Sequence, residues 1–268
     1  MADPYSDLGN AAREMQERIA DAMEARCLDP AQVELRERYL GPLSLPDGAF
    51  AVEFGSGTGH VTHDLMRLAG AHSALGIEPS EIMVERARSV HKDIANLSFQ
   101  VGDAADTGLD AASVDLVCMH TLLIHAPEAE AIMAEAFRVL KPGAILAVLD
   151  ADYDPTTVAI GPFDPLQPLV ARMIEANVHD RWLTRRLAPF IANAGFRVES
   201  RQSHGYVAEG EAAYFLTVVD RGADTLAQEA VISDSTSEAL KAEARRRVAE
   251  GAFFGFMSYL SVIASKPD

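Results

Sequence analysis

The stretch AFAVEFGSGTGH, residues 49–60, is an apolar run that ends in glycines at alternate positions. The residues before the glycines have the continuous apolar character of a strand that is buried on both faces of a sheet. The residues after them place Val61, Leu65 and Leu68 on one side of a helix. A strand, a glycine-rich turn and a helix in this order predict a ligand site, because glycine lets the backbone approach a ligand and the helix N-terminus offers unpaired N–H groups.

Further strand-like runs follow along the chain and alternate with helical segments as far as residue 150. The runs are ALGIE (74–78), LSFQV (97–101), VDLVCM (114–119), AILAVLD (144–150), FRVES (196–200) and FFGFMSYLSVIAS (253–265). Strands that alternate with helices of 10–15 residues indicate right-handed βαβ units. The sequence therefore predicts an α/β fold with a doubly wound, mostly parallel seven-stranded sheet.

The regions that flank this pattern are predicted to add helices. Residues 1–44 have helical periodicity, interrupted at Pro30, and are expected to form an N-terminal arm or lid. Residues 45–268 are expected to form the ligand-binding domain, in which the proline-rich residues 151–170 form a loop with short structured pieces. The segment at about 205–250 looks helical and is too long for a hairpin loop, so we predict a helical cap inserted before the last strand.

Composition limits the classes of function. A formal net charge of −17, from 40 acidic and 23 basic residues, disfavours a nucleic-acid partner. No apolar run approaches the roughly 20 residues that cross a bilayer, and the polar, acidic start is unlike a secretory signal. Cys27 and Cys118 are too few for a disulfide framework. We therefore expect a cytoplasmic protein that acts on a small molecule.

The glycine spacing and three carboxylates narrow the choice of ligand. A dinucleotide fingerprint, G-x-G-x-x-G, would need glycine at position 60, which is His60. Glu78 ends the second strand about twenty residues past the glycines, where a carboxylate can accept both hydroxyls of a ribose. Asp103 follows the third strand and can accept from an adenine amino group, and Glu53 can face an ammonium group. Carboxylates at the ends of three strands predict one binding site, because ligands of open sheets bind at this edge.

These motifs together resemble those of a known family. The segments VEFGSGTG, GIEPSEIMVERA, VGDAAD, VDLVCMHTLLIHAP and RVLKPGAILAV are similar, in order and spacing, to the successive motifs of class I S-adenosylmethionine-dependent methyltransferases. The similarity covers about residues 45–150 and is greatest to the small-molecule branch, which includes enzymes of quinone biosynthesis and natural products. It implies a Rossmann-like methyltransferase fold and S-adenosylmethionine as the cofactor.

The resemblance also implies roles for matching residues. The methionine part of the cofactor would be held by Glu53, Gly55 and Gly57, with His120 beside the methionine or the methyl group. The adenosine part would be bound by Glu78, Pro79, Met83, Asp103 and Ala104, with Glu78 on the ribose hydroxyls.

Methyl transfer leaves few marks on a sequence, because a general base is needed only when the acceptor must lose a proton. His120 and Asp152 are the candidate catalytic residues. Asp150 and Tyr153 are also expected to face the substrate, and His125 stands where the family often has a histidine near a strand-to-helix turn. Other candidates are Tyr5, which could close over the cofactor, and Arg36 and Arg38, which could bind its carboxylate. The histidines and cysteines lack ligand spacing, so no metal site is predicted.

The sequence thus predicts a methyltransferase that acts on a small, partly apolar molecule such as a quinone, a phenol or a natural product, by in-line transfer. The alternative is a protein that binds S-adenosylmethionine but catalyses another reaction or serves as a regulatory subunit. An NAD-dependent oxidoreductase is disfavoured by the glycine spacing. The N-terminal arm could also form a homodimer contact.

Overall fold

The computed structural model of the protein describes residues 8–208 and 210–268. Its strands are β1 (Phe50–Phe54), β2 (Ser73–Glu78), β3 (Leu97–Val101), β4 (Val114–His120), β5 (Leu140–Thr157), β6 (Arg197–Ala208) and β7 (Gly255–Ser265). Its helices are α1 (Arg13–Leu28), α2 (Pro30–Leu40), α3 (His60–Arg67), α4 (Glu81–Val90), α5 (Ala129–Val139), α6 (Gln167–Asn177), α7 (Leu183–Asn193), α8 (Ala213–Gln228) and α9 (Asp234–Ala249). Tyr5 lies outside the described residues.

The strands form one seven-stranded sheet in the order β3-β2-β1-β4-β5-β7-β6. The pairs from β3 through β5 are parallel, and β7 runs antiparallel between β5 and β6. This arrangement confirms the predicted doubly wound, mostly parallel α/β fold, with helices before the sheet and inserted ahead of the last strand. The reversal of strand order between β1 and β4 opens a crevice at the carboxyl edge, where ligands of such sheets bind.

The central strands are buried on both faces, as their apolar composition predicts. Val52, Val117 and Leu146, from three neighbouring strands, are completely buried in the main core. Helices cover both faces because right-handed crossovers run in one direction from β1 to β3 and in the other from β4 to β5. Each crossover also returns the chain so that parallel strands end at the same edge. The carboxyl ends of β1, β2, β3 and β4 are therefore fixed side by side.

The prediction of a loop over residues 151–170 was wrong. Strand β5 continues to Thr157, and α6 begins at Gln167. The extension is stabilised by antiparallel pairing with β7, which matches Ala151 with Tyr259, and the register shifts between Asp152 and Thr157. A strand can contain proline at such an irregularity. For the same reason β6 is longer than predicted and runs on to Ala208 beside β7.

The N-terminal helices lie against the carboxyl edge of the sheet. Pro30 is the first residue of α2, and Asp29 caps this helix by accepting from the Ala31 N–H at 2.9 Å. Asp29 also accepts from the Tyr206 hydroxyl at 2.8 Å. The hydroxyl of Tyr39 lies 2.8 Å from Nδ1 of His120, at the end of β4. The bond of Tyr39 joins α2 to β4, whose carboxyl end carries part of the predicted site, and the bond of Asp29 joins the same helix to β6. The division into an arm of residues 1–44 and a domain of residues 45–268 stays a prediction.

The inserted helix α8 packs closely on α6 at one glycine. A Cβ added to Gly222 would lie 1.9 Å from the carbonyl oxygen of Leu169, which is backbone and has little freedom to move. The two helices can approach this closely only because glycine has no side chain.

We expect Gly222→Ala to destabilise the protein by about 1–3 kcal/mol, the usual cost of overpacking a close contact. Urea unfolding followed by circular dichroism measures this change. Gly161→Ala is the matched control, because nothing lies within 4 Å of a Cβ added there. Equal stability of the two variants would contradict the role assigned to Gly222.

Candidate functional site

The glycine turn adopts a conformation that other residues rarely adopt. Gly55, Gly57 and Gly59 have φ angles of 70°, 50° and 85°. A Cβ at Gly57 would lie 2.3 Å from the Cε atom of Met23, so α1 approaches the turn directly. The N–H groups of Gly55 and Ser56 both donate to the carbonyl oxygen of Ile77, at 2.9 and 3.0 Å. The turn is thereby tied to the end of β2.

A cavity of about 410 Å³ opens at the carboxyl ends of β1, β2 and β3. It is lined by all five residues predicted for the adenosine part of the ligand, namely Glu78, Pro79, Met83, Asp103 and Ala104. Gly55 of the glycine turn also lines it. Thr121, Leu122 and His125, which follow β4, line the opposite side. The structure thus brings these distant segments to one site.

Glu78 is buried and links the two loops of this cavity. Its Oε2 accepts from the Gly57 N–H at 3.0 Å, and its Oε1 accepts from the Ser80 N–H at 3.1 Å. Burial raises the pKa of this carboxyl to about 7, although the two backbone N–H groups act in the opposite direction. Asp103, at the next strand, accepts from the Ala105 N–H at 2.8 Å through one oxygen. The two carboxyls can each bind a polar edge of a ligand.

A second, much smaller space adjoins the glycine turn. Arg26, Glu53, Gly55 and His120 are among the residues that line it. Glu53 accepts from the Thr62 hydroxyl at 2.5 Å, and burial raises the pKa of its carboxyl to about 8. Its ionised form would be favoured by a bound cation.

His120 is held as a neutral imidazole. Burial, with nearby Arg26 and Arg36, keeps the pKa of this side chain well below its usual value. Its Nδ1 lies 2.8 Å from the Tyr39 hydroxyl, which orients the ring. A neutral ring can lie beside a positively charged sulfur without repulsion.

Several sequence candidates do not line either cavity, namely Gly57, Asp150 and Tyr153 as well as Asp152, Arg36 and Arg38. Asp152 forms an ion pair with Arg185 at 3.0 Å, on the side of the sheet that α7 covers, and this placement does not support its predicted role as a base. Arg36 is buried against Asp64 at 2.6 Å. Arg38 pairs with an exposed glutamate. Arg36 and Arg38 are therefore engaged elsewhere.

Arg26 was not predicted, although the sequence contained a signal for it. Its spacing along α1 places it on the same face as Ile19, Ala22 and Met23, an apolar stripe in which a cation is unusual. The structure buries this side chain, and its Nη2 donates to the Thr121 hydroxyl at 2.8 Å. A buried cation on an apolar stripe points to a ligand or a partner.

The ring centroids of His125 and Tyr153 lie 6.4 Å apart, and a role for either at the substrate stays a prediction. Asp150 is completely buried and accepts from the Leu123 N–H at 3.1 Å, and burial raises the pKa of its carboxyl to about 7. This bond fixes the loop after β4.

Neither a metal site nor a membrane-crossing helix is found in the part of the chain that the structure describes. No group of three or more histidine, cysteine or acidic side chains there could hold a metal ion. No helix there is both long enough and apolar enough to cross a bilayer.

The residues that line the two spaces fit S-adenosylmethionine in chemistry. The larger space has room and acidic groups for the adenosine. The smaller, of about 10 Å³, adjoins Glu53 and the glycine turn and has room for about one water-sized group. The buried hydroxyl oxygen of Ser56, which lines the smaller space, has no hydrogen-bond partner among residues 8–208 and 210–268. A polar ligand group would satisfy it.

Comparison with known proteins agrees with this fit. The methyltransferase domain family matches residues 52–148. A demethylmenaquinone methyltransferase of Lactobacillus johnsonii is 27% identical over 59% of this chain and 68% of its own length. A ubiquinone biosynthesis O-methyltransferase of Xanthomonas axonopodis is 26% identical over 64% and 71%. The match to a 37.1 kDa protein of a Streptomyces fradiae transposon is 29% identical, over 59% of this chain and less than half, 46%, of that protein.

Solved structures share the fold over most of the chain. The 4+2 cyclase SpnF has a TM-score of 0.61 and 16% identity, with 100% of this chain and 98% of that chain covered. Phosphoethanolamine N-methyltransferase 2 of Haemonchus contortus, in complex with S-adenosyl-L-methionine, has a TM-score of 0.59 and 14% identity, covering 100% and 61%. Likeness at this identity concerns the fold.

Fold, site and family match point to one class. Residues 52–148 match a methyltransferase domain, and the relatives and the site support a class I methyltransferase with S-adenosylmethionine as its cofactor.

We expect Glu78→Ala to weaken binding of S-adenosylhomocysteine by about 1–3 kcal/mol, the loss typical of hydrogen bonds to a charged group. Isothermal titration calorimetry measures the change. Glu85→Ala, on the exposed face of α4, is the control. Unchanged affinity in Glu78→Ala would contradict the ribose assignment.

Cofactor binding is expected to release protons near pH 7. The pKa of Glu53 is about 8 in the free protein, and the ammonium group of the cofactor favours the ionised carboxylate. The free protein therefore holds more protons than the complex, so affinity should rise with pH between about 6 and 8. Calorimetry in two buffers of different ionisation enthalpy counts the protons. In Glu53→Gln this contribution should disappear, and an identical pH dependence in that variant would overturn the assignment.

Proposed function

We propose that the protein transfers a methyl group from S-adenosylmethionine to a small, partly apolar molecule of the quinone, phenol or natural-product type. The observation that carries the proposal is the convergence of Glu53, Glu78 and Asp103 on adjoining cavities beside the neutral His120. The relatives named as menaquinone and ubiquinone methyltransferases support the substrate class.

The residues of the larger cavity bind and orient the adenosine. In this proposal Glu78 would bind the ribose hydroxyls and Asp103 the adenine amino group. Pro79 and Met83 would contact the adenine ring, and the backbone of Ala104 would hydrogen-bond to the edge of that ring. Met83 and Glu78 are both buried, so the contacts that they would make with the adenosine part are shielded from water. The bound cofactor supplies an electrophilic methyl group on a sulfonium.

The residues near the methionine align the reacting end. Gly55 and Gly57 allow close approach of the backbone, and Glu53 holds the ammonium group. His120, oriented by Tyr39, would lie beside the methionine part and help to align an acceptor for in-line transfer. A neutral imidazole can also accept a proton from an acidic acceptor.

The test is transfer of labelled methyl from S-adenosylmethionine to a panel of hydroquinones, phenols and amines. We expect transfer to a phenolic or quinone-derived oxygen or carbon, and His120→Ala should lower kcat/KM at least about tenfold, equivalent to about 1.4 kcal/mol of transition-state stabilisation. Glu85→Ala should retain the activity.

A different result would favour the alternative function. Tight S-adenosylhomocysteine binding without transfer to any acceptor would contradict the proposal and favour a protein that uses the cofactor without methylation. The likeness in fold to a cyclase is the observation on which that second candidate rests.

A further inference from the structure

Arg26 of α1 differs from the other buried arginines of the protein. Three arginines are buried among residues 8–208 and 210–268, namely Arg26, Arg36 and Arg247. Arg36 pairs with Asp64 at 2.6 Å, and Arg247 pairs with Asp164 at 2.7 Å. Arg26 forms no ion pair with any described residue, although only 8% of it is exposed. A buried guanidinium without an anionic partner is costly, so such a residue points to a ligand.

The hydrogen bonds of this guanidinium leave several of its donors without a partner. A guanidinium carries five N–H donors. Nη2 of Arg26 donates to the hydroxyl of Thr121 at 2.8 Å, the one hydrogen bond that the group makes with the described residues. Nε is buried and has no hydrogen-bond partner among the same residues. The ring of Tyr214, with its centroid 5.8 Å away, offers the charge a π face but no anionic oxygen.

Two carboxyl groups in the region of Arg26 do not supply a full negative charge at neutral pH. Burial raises the pKa of Asp150 to about 7, although three backbone N–H groups and the charge of Arg26 act in the opposite direction. Burial also raises the pKa of Glu53 to about 8, so this carboxyl is largely protonated at pH 7. An anionic group of a ligand would therefore meet a guanidinium whose charge is not yet balanced.

Arg26 lines the smaller of the two ligand spaces, where this space adjoins the larger one. Met23 and Gly55 line both spaces, which places the two side by side. Thr121, which accepts the hydrogen bond from Arg26, lines the larger space. In the described part of the chain, Arg26 is the one arginine or lysine that lines either space. The candidate site therefore has a single permanent cation, at its methionine end.

The smaller space needs a small movement to admit a group larger than a water molecule. Its volume is about 10 Å³. The Cε atom of Met23, which lines this space, lies 2.3 Å from the position that a Cβ at Gly57 would take. A methionine side chain is unbranched and turns about three bonds. Rotation of Met23 would therefore widen the space beside Arg26 without a movement of the strands.

The chemistry of the guanidinium suits a carboxylate. Arginine binds a carboxylate through two parallel N–H donors, and Arg26 has donors left for such a pair. An α-amino acid carries its ammonium and carboxylate groups on one carbon atom. If Glu53 holds the ammonium group of the cofactor, the carboxylate of the same methionine therefore lies in the same small space. A carboxylate of the methyl acceptor could reach Arg26 from the side of Thr121.

We propose that Arg26 binds a carboxylate at the methionine end of the site, supplied by the methionine part of the cofactor or by the methyl acceptor. The proposal rests on the proposed function and deepens it, because it assigns the cation of the site and the charge of the group that this cation binds. Arg36 and Arg38, the sequence candidates for this role, are paired elsewhere. The two sources of the carboxylate differ in which ligand loses affinity when the guanidinium is removed.

The test is isothermal titration calorimetry with two pairs of ligands. In the first pair, S-adenosylhomocysteine carries the amino acid part and 5′-methylthioadenosine lacks it. The second pair is titrated into protein saturated with S-adenosylhomocysteine, and of this pair 4-hydroxybenzoate carries a carboxylate and 4-hydroxybenzamide does not. A loss of affinity in the first pair cannot come from the ammonium group, because removal of a positive charge nearby would favour that group.

The variants separate the charge of Arg26 from its shape. Arg26→Met removes the charge and keeps an unbranched side chain, and Arg26→Lys keeps the charge without the planar fork. Arg26→Gln replaces Arg26→Met if circular dichroism shows that the latter does not fold. Arg18→Met is the matched control, because Arg18 lies on the same helix with a side chain that is 60% exposed.

We expect Arg26→Met to lower the affinity for a carboxylate ligand by at least about tenfold and to leave that for its carboxylate-free counterpart within about twofold. A loss for S-adenosylhomocysteine assigns the carboxylate to the cofactor, and a loss for 4-hydroxybenzoate assigns it to the acceptor. Arg26→Lys should lose less than Arg26→Met, because it keeps the charge. Arg18→Met should change none of the four affinities.

Two outcomes overturn the proposal. Unchanged affinity for S-adenosylhomocysteine in Arg26→Met, without a loss of 4-hydroxybenzoate binding, would leave the guanidinium without a carboxylate to bind. An equal loss for S-adenosylhomocysteine and 5′-methylthioadenosine would mean that Arg26 only supports the shape of the site. Failure of the unmodified protein to bind either of these two adenosine ligands would instead contradict the proposed function.

Discussion

The hydrogen bond from the Gly57 N–H to the buried carboxylate of Glu78 joins the two loops on which the site depends. One loop follows β1 and the other ends β2, and parallel pairing of these strands places their carboxyl ends side by side. A Cβ at Gly57 would lie 2.3 Å from the terminal Cε atom of Met23 in α1. The Gly57–Glu78 hydrogen bond thus ties the glycine turn to the acidic residue, and α1 lies next to both.

Burial of carboxyl groups gives this site its electrostatic character. Burial raises the pKa of Glu53 to about 8 and that of Glu78 to about 7, because a low-dielectric environment disfavours the charged form. A cationic ligand near Glu53 reverses this preference for that carboxyl. Binding of a cationic ligand is therefore expected to release a proton from Glu53, and the neutral His120 adds no positive charge beside the sulfonium.

The N-terminal helices contribute side chains to the candidate site. Tyr39 of α2 orients His120, and Arg26 reaches the same region from α1, where it donates to the Thr121 hydroxyl. The helices before the sheet therefore complete the edge at which the strands end.

The sequence by itself determined the α/β class, the glycine turn and the carboxylates at the strand ends, because these depend on local periodicity and on the fixed relation of parallel strands to their carboxyl edge. Of the residues predicted to bind the adenosine, Glu78, Pro79, Met83, Asp103 and Ala104 all line one cavity. Only the tertiary structure decided which cation lies at the site, because Arg26 reaches Thr121 there whereas Arg36 is paired with Asp64. The tertiary structure also decided the extension of β5 to Thr157, because its antiparallel partner β7 is about a hundred residues away along the chain. The sequence alone shows the prolines, which predict a loop, and does not show the pairing that keeps this segment in a strand.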